Sequence, residues 1–426
     1  MPAIYVFGII VVVLLFTGFP VGLSFLVAST GYLVVTGENI QIILKQIVSG
    51  VDSFVFLAVP LFILAAQVMN ESKITGRMFD FSNKLVGHIP GGLSHVNIVS
   101  SLIFSGMSGS ALADTSGIGL LAYRAMEEKG FDKPFSAALT VASATVGPII
   151  PPSIIMVIYA VLANASVGKL FLAGILPGLL LGVFLMVYCY VLARQRNFPR
   201  ERRPAFREVL ASFKDGFLAL LTPVILIGGI YSGIFTPTEA SAVAAFYTIL
   251  LSVYYHGPRK ALSGLLKVGR ETMKLTGMTM FIVATASVFS WIITRENIPQ
   301  TIASWVLGMN MNRFMFLFII NVGFLLLGCA FDTNTILLVF VPLILPLLKP
   351  LAIDPVHFGV IVVLNLMIGM MTPPFGLQLF LVSGLTGVPI KAIVRALIPM
   401  ISILIGLLFI ITYISPIVMW IPGMMK

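Results

Sequence analysis

Charge is scarce in this chain. Only 10% of its 426 residues are Asp, Glu, Lys or Arg, where water-soluble domains carry about a quarter. Cysteine is nearly missing too: Cys189 and Cys329 are the two present. They make neither a disulfide framework nor a metal-ligand pattern. The histidines, His88, His95, His256 and His357, show no ligand spacing and read as residues near span ends. There is no H-E-x-x-H, no pair of aspartates on one helix face and no P-loop. These gaps exclude a disulfide-stapled scaffold, an intramembrane enzyme of the familiar kinds and direct use of ATP. The first thirty residues, "MPAIYVFGIIVVVLLFTGFPVGLSFLVAST", lack the basic start and small-residue stop of a cleaved leader. They read as retained spans.

What is present is apolar. Hydrophobic residues make up 58% and the mean hydropathy is +1.06. Apolar runs of about twenty residues, enough to cross a bilayer as a helix, recur along the chain. The fold class is therefore an all-α polytopic membrane protein. The net charge of +10 does not imply nucleic acid, because its distribution follows loops. "RQRNFPRERRPAFREVLASFK", from Arg194 to Lys214, holds seven Lys or Arg, and five more lie between His256 and Lys274. Both stretches are expected on the cytoplasmic side. The spans 217–234 and 236–254 leave and return between them. The same threading puts Lys73, Arg77, Lys84, Arg124, Lys129, Lys133, Lys391 and Arg395 inside. Lys45, Lys169, Arg295, Arg313, Lys349 and Lys426 fall outside. Twenty basic residues inside against six outside predict both termini on the outer side.

That threading needs a re-entrant hairpin over 88–127, because its basic flanks share one side. Its tip is "SGMSGSALADTSG", 105–117. Irregular backbone at membrane depth survives only where protein buries it or a watery cavity meets it. A second polar break, "LLLGCAFDTNTILLV" at 325–339, sits in a hairpin over 314–348. Both breaks carry Asp-Thr, at Asp114-Thr115 and Asp332-Thr333. The segments that follow align without a gap at a spacing of 222: Asp132 over Asp354, Gly147 over Gly369, Pro151-Pro152 over Pro373-Pro374, Lys169 over Lys391 and Pro177 over Pro399. The first arms align more weakly at 217, Pro20 over Pro237 and Ser24 over Ser241. The halves are thus repeats, and the topology inverts them.

"TVGPIIPPSIIM" and "MIGMMTPPFGLQ" cut the spans 134–163 and 355–384. Proline removes backbone donors and pushes its predecessor out of helical geometry. Free carbonyls are left at one half-helix end and free N–H groups at the other. The first suit a cation; the second favour an anion. Inverted repeats with interrupted helices are the pattern of secondary transporters.

"GSALADTSGIG", "VGPIIPPS" and "TPPFG" after the second Asp-Thr hairpin resemble the large membrane subunit of tripartite ATP-independent periplasmic (TRAP) transporters, over essentially the whole chain. The resemblance implies an ion-transporter-superfamily fold and elevator-type alternating access. The scaffold would be 1–85 and 217–310. The transport domain would be 88–193 and 314–415, with 194–214 as the basic cytoplasmic link. It implies residence in the bacterial inner membrane, a separate small four-helix membrane subunit and a periplasmic substrate-binding protein. It also implies an organic acid substrate imported on a sodium gradient, and overall likeness is greatest to members that take up sialic acid.

Sodium is a hard cation suited to oxygen ligands. The expected ligands are Ser105, Gly147 and Ile150 in the first half and Gly328, Gly369 and Thr372 in the second, for two or more coupling ions. The plainer alternative is that the glycines and prolines only make kinks. Ser108, Ser110, Ser153 and Asp332 are expected substrate contacts, although each serine has the alternative of bonding a carbonyl one turn back. Asp114 reads equally as a helix cap or a functional group. Glu239 reads as structural. No Lys or Arg falls in a tip or a cut, so an anion would be held by half-helix N-termini, bound sodium and hydroxyls.

Three rivals are weaker. A channel needs rings or a filter, and opposed hairpins would block one. A standalone or proton-coupled dicarboxylate carrier should pair a buried carboxylate with a base, and neither aspartate has one in sequence. No enzyme motif is present.

Overall fold

The computed structural model describes residues 2–424 apart from Lys73, Asn197, Asn310 and Phe375; the side assignments of Lys73 and Lys426 therefore lie outside the described residues. All regular structure among the described residues is helical. The first half comprises α1 (Pro2–Phe16), α2 (Val21–Thr36), α3 (Gln41–Val51), α4 (Ala58–Glu71), α5 (Ile74–Val86), α6 (Gly92–Ser108), α7 (Ala111–Asp114), α8 (Leu120–Glu128), α9 (Lys133–Ala144), α10 (Ile154–Ala163) and α11 (Val167–Arg196). The second comprises α12 (Phe206–Tyr231), α13 (Pro237–His256), α14 (Pro258–Arg295), α15 (Ile298–Gly308), α16 (Arg313–Ala330), α17 (Thr333–Leu348), α18 (Pro355–Met370), α19 (Leu377–Thr386), α20 (Ile390–Tyr413) and α21 (Ser415–Gly423). Among the described residues, six helices, including α11, α12, α14 and α20, are long and apolar enough to cross a bilayer.

The repeat is visible in how the helices begin. Asp132 accepts from Phe135 N at 3.1 Å and caps α9. Asp354, its counterpart, accepts from Val356 N at 2.7 Å and caps α18. Each helix carries proline in its first turn, where a missing N–H is harmless. Pro177 and Pro399 each lie inside a long helix, α11 and α20. The halves differ in their first arms: α3 and α4 are separate helices joined by a short 3-10 turn, whereas α14 is continuous over 38 residues.

Two sets of packings organise the molecule. α4 packs on α13 and α14, α14 on α2 and α3, and α1 on α2. α6 packs on α9, α16 on α18, α20 on α9 and α18, and α11 on α6. α5 packs against both α12 and α6.

Buried amides tie the hairpins to the cut helices. Asn97 on α6 donates to Thr140 Oγ1 at 2.9 Å and accepts from Ser143 Oγ at 2.8 Å, both on α9. In the other half Asn365 on α18 donates to Asn321 Oδ1 on α16 at 2.7 Å, and Asn321 donates to Thr412 Oγ1 at 2.9 Å. Bonds between polar groups inside apolar helix bundles hold one arrangement, since the alternative is an unpaired polar group in hydrocarbon.

The basic stretch 194–214 takes in the end of α11, at Arg196, and the start of α12, at Phe206. One expectation needs correcting. His95 and His357 are buried rather than interfacial, and their ring nitrogens bond the carbonyls of Pro90 and Ile411. Glu239 is structural, as read from the sequence: it is a capping-box residue, with Thr236 N donating to it at 2.8 Å while Thr236 Oγ1 accepts from Glu239 N.

Candidate functional site

The first hairpin turns at Gly109, with φ of +59°. A methyl group there would also overlap the Pro152 carbonyl oxygen. Only glycine meets both demands, and the tip is thereby pressed onto the break in the first cut helix. Ser110 follows in extended geometry, and its Oγ accepts from Ala113 N at 3.4 Å to start the returning helix. That helix runs through α7, a π-helical turn at Thr115–Gly119, and α8.

Asp114 is therefore not the cap. It sits fully buried one turn inside the returning helix. Ser108 Oγ donates to its Oδ1. Its Oδ2 has no hydrogen-bond partner among the described residues, and a methyl group on Gly147 would stand 2.5 Å from it. A buried ionisable group pressed against a helix break is a costly feature in an apolar bundle.

In the second hairpin the cap is Asp332. It accepts from Asn334 N at 2.9 Å, from Thr335 N at 3.2 Å and from Thr335 Oγ1. The two Asp-Thr pairs are thus not equivalent. Ser110 and Asp332, 222 residues apart, are the equivalent pair.

A cavity of about 370 Å³ lies between the tips. Ser108 to Ala113 and Asp332 to Asn334 wall it from the hairpins, and Pro148, Ile154, Ile155, Met370 and Leu377 from the cut helices. The opposite wall is Ile63, Ala66 and Gln67 of α4 with Leu275, Met278, Thr279 and Ile282 of α14. Four helical segments begin at this cavity: 111–128, α10, α17 and α19. Each N-terminus carries partial positive charge. No Lys or Arg lines the cavity.

Ser108, Ser110 and Asp332 line this cavity; Ser153 does not. Ser153 is fully buried and caps α10, accepting from Met156 N at 3.2 Å. Among the described residues, none of the three serines bonds a carbonyl one turn back. Gln67, Thr279 and Asn334 line the cavity without having been singled out from sequence. A polar residue within an apolar run was the available signal.

Of the expected sodium ligands, Ser105 is buried and donates to Leu102 O at 2.7 Å, leaving its lone pairs free. Its neighbour Gly106 lies beside the first break: a methyl group there would be 4.0 Å from the Pro151 carbonyl oxygen. Gly147 and Ile150 are buried in that break. Gly328 and Gly369 touch: a methyl group on Gly328 would stand 2.7 Å from the Gly369 Cα. Thr372 N donates to Gly369 O at 2.9 Å and its Oγ1 to Ile368 O at 2.6 Å. Gly328 also lines a second cavity with Asp332 and Gly376.

This arrangement of hairpins, breaks and cavity has known counterparts. Residues 8–417 match the family described as "Tripartite ATP-independent periplasmic transporter, DctM component". The chain belongs to this family. It is 43% identical over 388 residues to the sialic acid TRAP transporter large permease protein SiaM of Vibrio cholerae, covering 91% of each chain. It is 42% identical over 372 residues to the C4-dicarboxylate TRAP transporter large permease protein DctM of Pseudomonas aeruginosa, covering 87% of each. The YdaH transporter of Alcanivorax borkumensis shares the fold, with a TM-score of 0.62 at 12% identity over 87% of this chain and 86% of that one. The protein is thus a TRAP large permease subunit, a membrane transporter component and not an enzyme.

Proposed function

We propose that this subunit imports a sugar acid, sialic acid (N-acetylneuraminate) first among the class, coupled to sodium. The observation that carries this reading is the cavity between the hairpin tips. Its volume, about 370 Å³, lies in the range of small-molecule sites. Its ends differ in charge. At the first hairpin the helix start is capped by neutral Ser110, and α19 starts without a side-chain cap. Free N–H groups and helix dipoles there favour a carboxylate. At the second hairpin Asp332 accepts from two N–H groups of α17, those of Asn334 and Thr335, and its carboxylate offsets the positive end there. Asp332 with Asn334 and Thr333 suits hydroxyl and amide groups.

A four-carbon dicarboxylate is the second reading, since such relatives are equally similar. Its far carboxylate would face Asp332, which disfavours it without a second cation. Sodium at the break beside Asp114 and Gly147, and at Gly328, Gly369 and Thr372, would complete the charge balance. Binding without a fixed cationic side chain is weak, which suits delivery by a periplasmic binding protein in the inner membrane. A separate small membrane subunit would complete the complex, and both termini would be periplasmic. Movement would be of the hairpins and cut helices against α1–α4 and α12–α14.

The test is uptake into proteoliposomes holding this chain and its small subunit, with the binding protein outside. Labelled sialic acid and labelled succinate are compared under inward sodium and potassium gradients. Sodium-dependent, binding-protein-dependent accumulation of sialic acid alone is the expected result. Succinate uptake in its place would favour the second reading. Uptake without the binding protein would sink the three-part assembly, and uptake on a pH gradient alone would sink sodium coupling.

A further inference from the structure

The junction between the two halves carries more positive charge than the protein itself uses. Three nearby carboxylates are already engaged, while Asp80 and Glu128 are exposed with no ion-pair partner among the described residues. Glu201 pairs with Lys129 at 2.9 Å, Glu208 with Arg202 at 2.5 Å and with Lys84 at 3.9 Å, and Asp215 with Arg77. Arg196, Arg200, Arg203, Arg207 and Lys214 remain exposed, with no carboxylate partner among the described residues.

The junction is held in place. Phe198 packs its ring 4.9 Å from that of Phe131 and 5.2 Å from that of Phe135. Glu201 N donates to Gly87 O at 3.0 Å. The arginines are therefore presented from an anchored segment and not from a loose tether.

Beside them runs an apolar stripe. Phe206, Leu210, Phe213 and Phe217 follow one another at helical spacing on α12, and all are exposed, Phe206 at 79%. The stripe continues along the helix to Val224 and Tyr231. Phe206 lies eleven residues before Phe217, about 16 Å along the axis. Arg207 and Lys214 each stand one residue beyond a stripe position, so basic and apolar strips run side by side. Exposed apolar residues next to unpaired cations are what a helix shows where it meets the headgroup layer. Guanidinium groups bind phosphate oxygens in pairs.

We propose that Arg200, Arg203 and Arg207, with Phe206 and Phe213, form a binding surface for anionic phospholipid headgroups in the leaflet from which α12 enters the membrane. The guanidinium groups would take the phosphodiester, and the phenyl rings would lie among the upper acyl carbons. The segment 198–201 is docked on the α8–α9 corner, while Arg202 and Glu208 bind it to α12. A lipid held here would therefore sit at the seam between the hairpin group and α12. This inference does not depend on the substrate.

The test uses the full chain with its small subunit, purified in detergent and doped with phosphatidylglycerol or phosphatidylethanolamine. Native mass spectrometry counts the lipids retained. A basic residue near an anionic surface contributes about fivefold to binding, so Arg200→Gln, Arg203→Gln and Arg207→Gln together should weaken phosphatidylglycerol retention by about a hundredfold. Phosphatidylethanolamine retention should not change. The matching triple Lys variant should keep most of the binding and guards against misfolding. Phe206→Ala with Phe213→Ala should weaken it with all charges intact. Glycerol 3-phosphate, the headgroup without tails, should not displace the lipid. Equal phosphatidylglycerol retention by parent and triple Gln variant would overturn the proposal. So would loss of the small subunit with lipid retention unchanged, which would make the patch a protein contact.

Discussion

Ser110 and Asp332 occupy one structural position in the two repeats, each capping the helix that returns from a hairpin tip. One is neutral and the other carries charge, and this single difference polarises the cavity they share. Asp332→Ser should keep the cap and the fold but raise the substrate KM by tenfold or more, through loss of an acceptor for hydroxyl groups. Ser110→Asp should also fold, since aspartate caps well, yet abolish uptake by placing a carboxylate where the proposed substrate would put its own. Uptake kinetics beside thermal stability separate the two effects. Normal uptake by Ser110→Asp would refute the polarity.

Asp114 should govern the ion rather than the substrate. Its Oδ2 lies free against Gly147. Asp114→Asn is nearly isosteric and keeps the bond with Ser108. The sodium concentration for half-maximal uptake should rise at least about tenfold, the scale of one charge-assisted interaction. Substrate KM at saturating sodium should move little. A variant with unchanged sodium titration would leave Asp114 a structural residue.

Gly328 and Gly369 meet backbone to backbone. Alanine at either position forces the second hairpin away from its cut helix. Overpacking of this kind costs about 1–3 kcal/mol. Gly369→Ala should lower the melting temperature and the uptake together. Gly323→Ala, on the same hairpin arm with nothing within 4 Å, is the control and should do neither.

The hairpins are not placed symmetrically against the remaining helices. The second tip meets the turn between α1 and α2: Phe16 and Phe331 are in edge contact at 5.4 Å, and Leu15 and Thr335 line one cavity. The first tip meets the middle of α12, with Gly106 against Pro223. Applying the repeat spacings of 217 and 222, the counterparts of Leu15 and Thr335 are Ser232 and Ala113. In a cysteine-free background, Leu15→Cys with Thr335→Cys should cross-link in the state described. Ser232→Cys with Ala113→Cys should cross-link only in the opposite state. Both bridges should stop uptake until reduced. Failure of the second pair to cross-link in an actively transporting sample would rule out this exchange of contacts.

The hairpins, the cuts and the inverted repeat were legible because glycine and proline act on the backbone where they stand. Asp132 and Asp354 could be matched for the same reason. The tips were harder. Asp-Thr occurs in both, 218 residues apart, and the shared spelling hid the true match at 222. Whether a polar residue caps a helix or lies one turn inside it depends on where the turn closes, and Gly109 decides that through its contact with Pro152. Gln67 and Thr279 stood alone in apolar runs, and only tertiary packing brings them opposite the tips. The amides at Asn97, Asn321 and Asn365 were readable as costly intramembrane groups, but their partners were not.

The cavity takes one wall from the hairpin group and the other from α4 and α14. In the proposed motion the two walls slide past each other, so a passenger cannot keep all its contacts. Gln67 and Thr279 are let go as the carriage leaves, while Ser110 and Asp332 travel with it. The grip is then tightest at one landing and slackens along the route. On that proposal unloading would need no separate gate, because displacement itself would unfasten half of the seat.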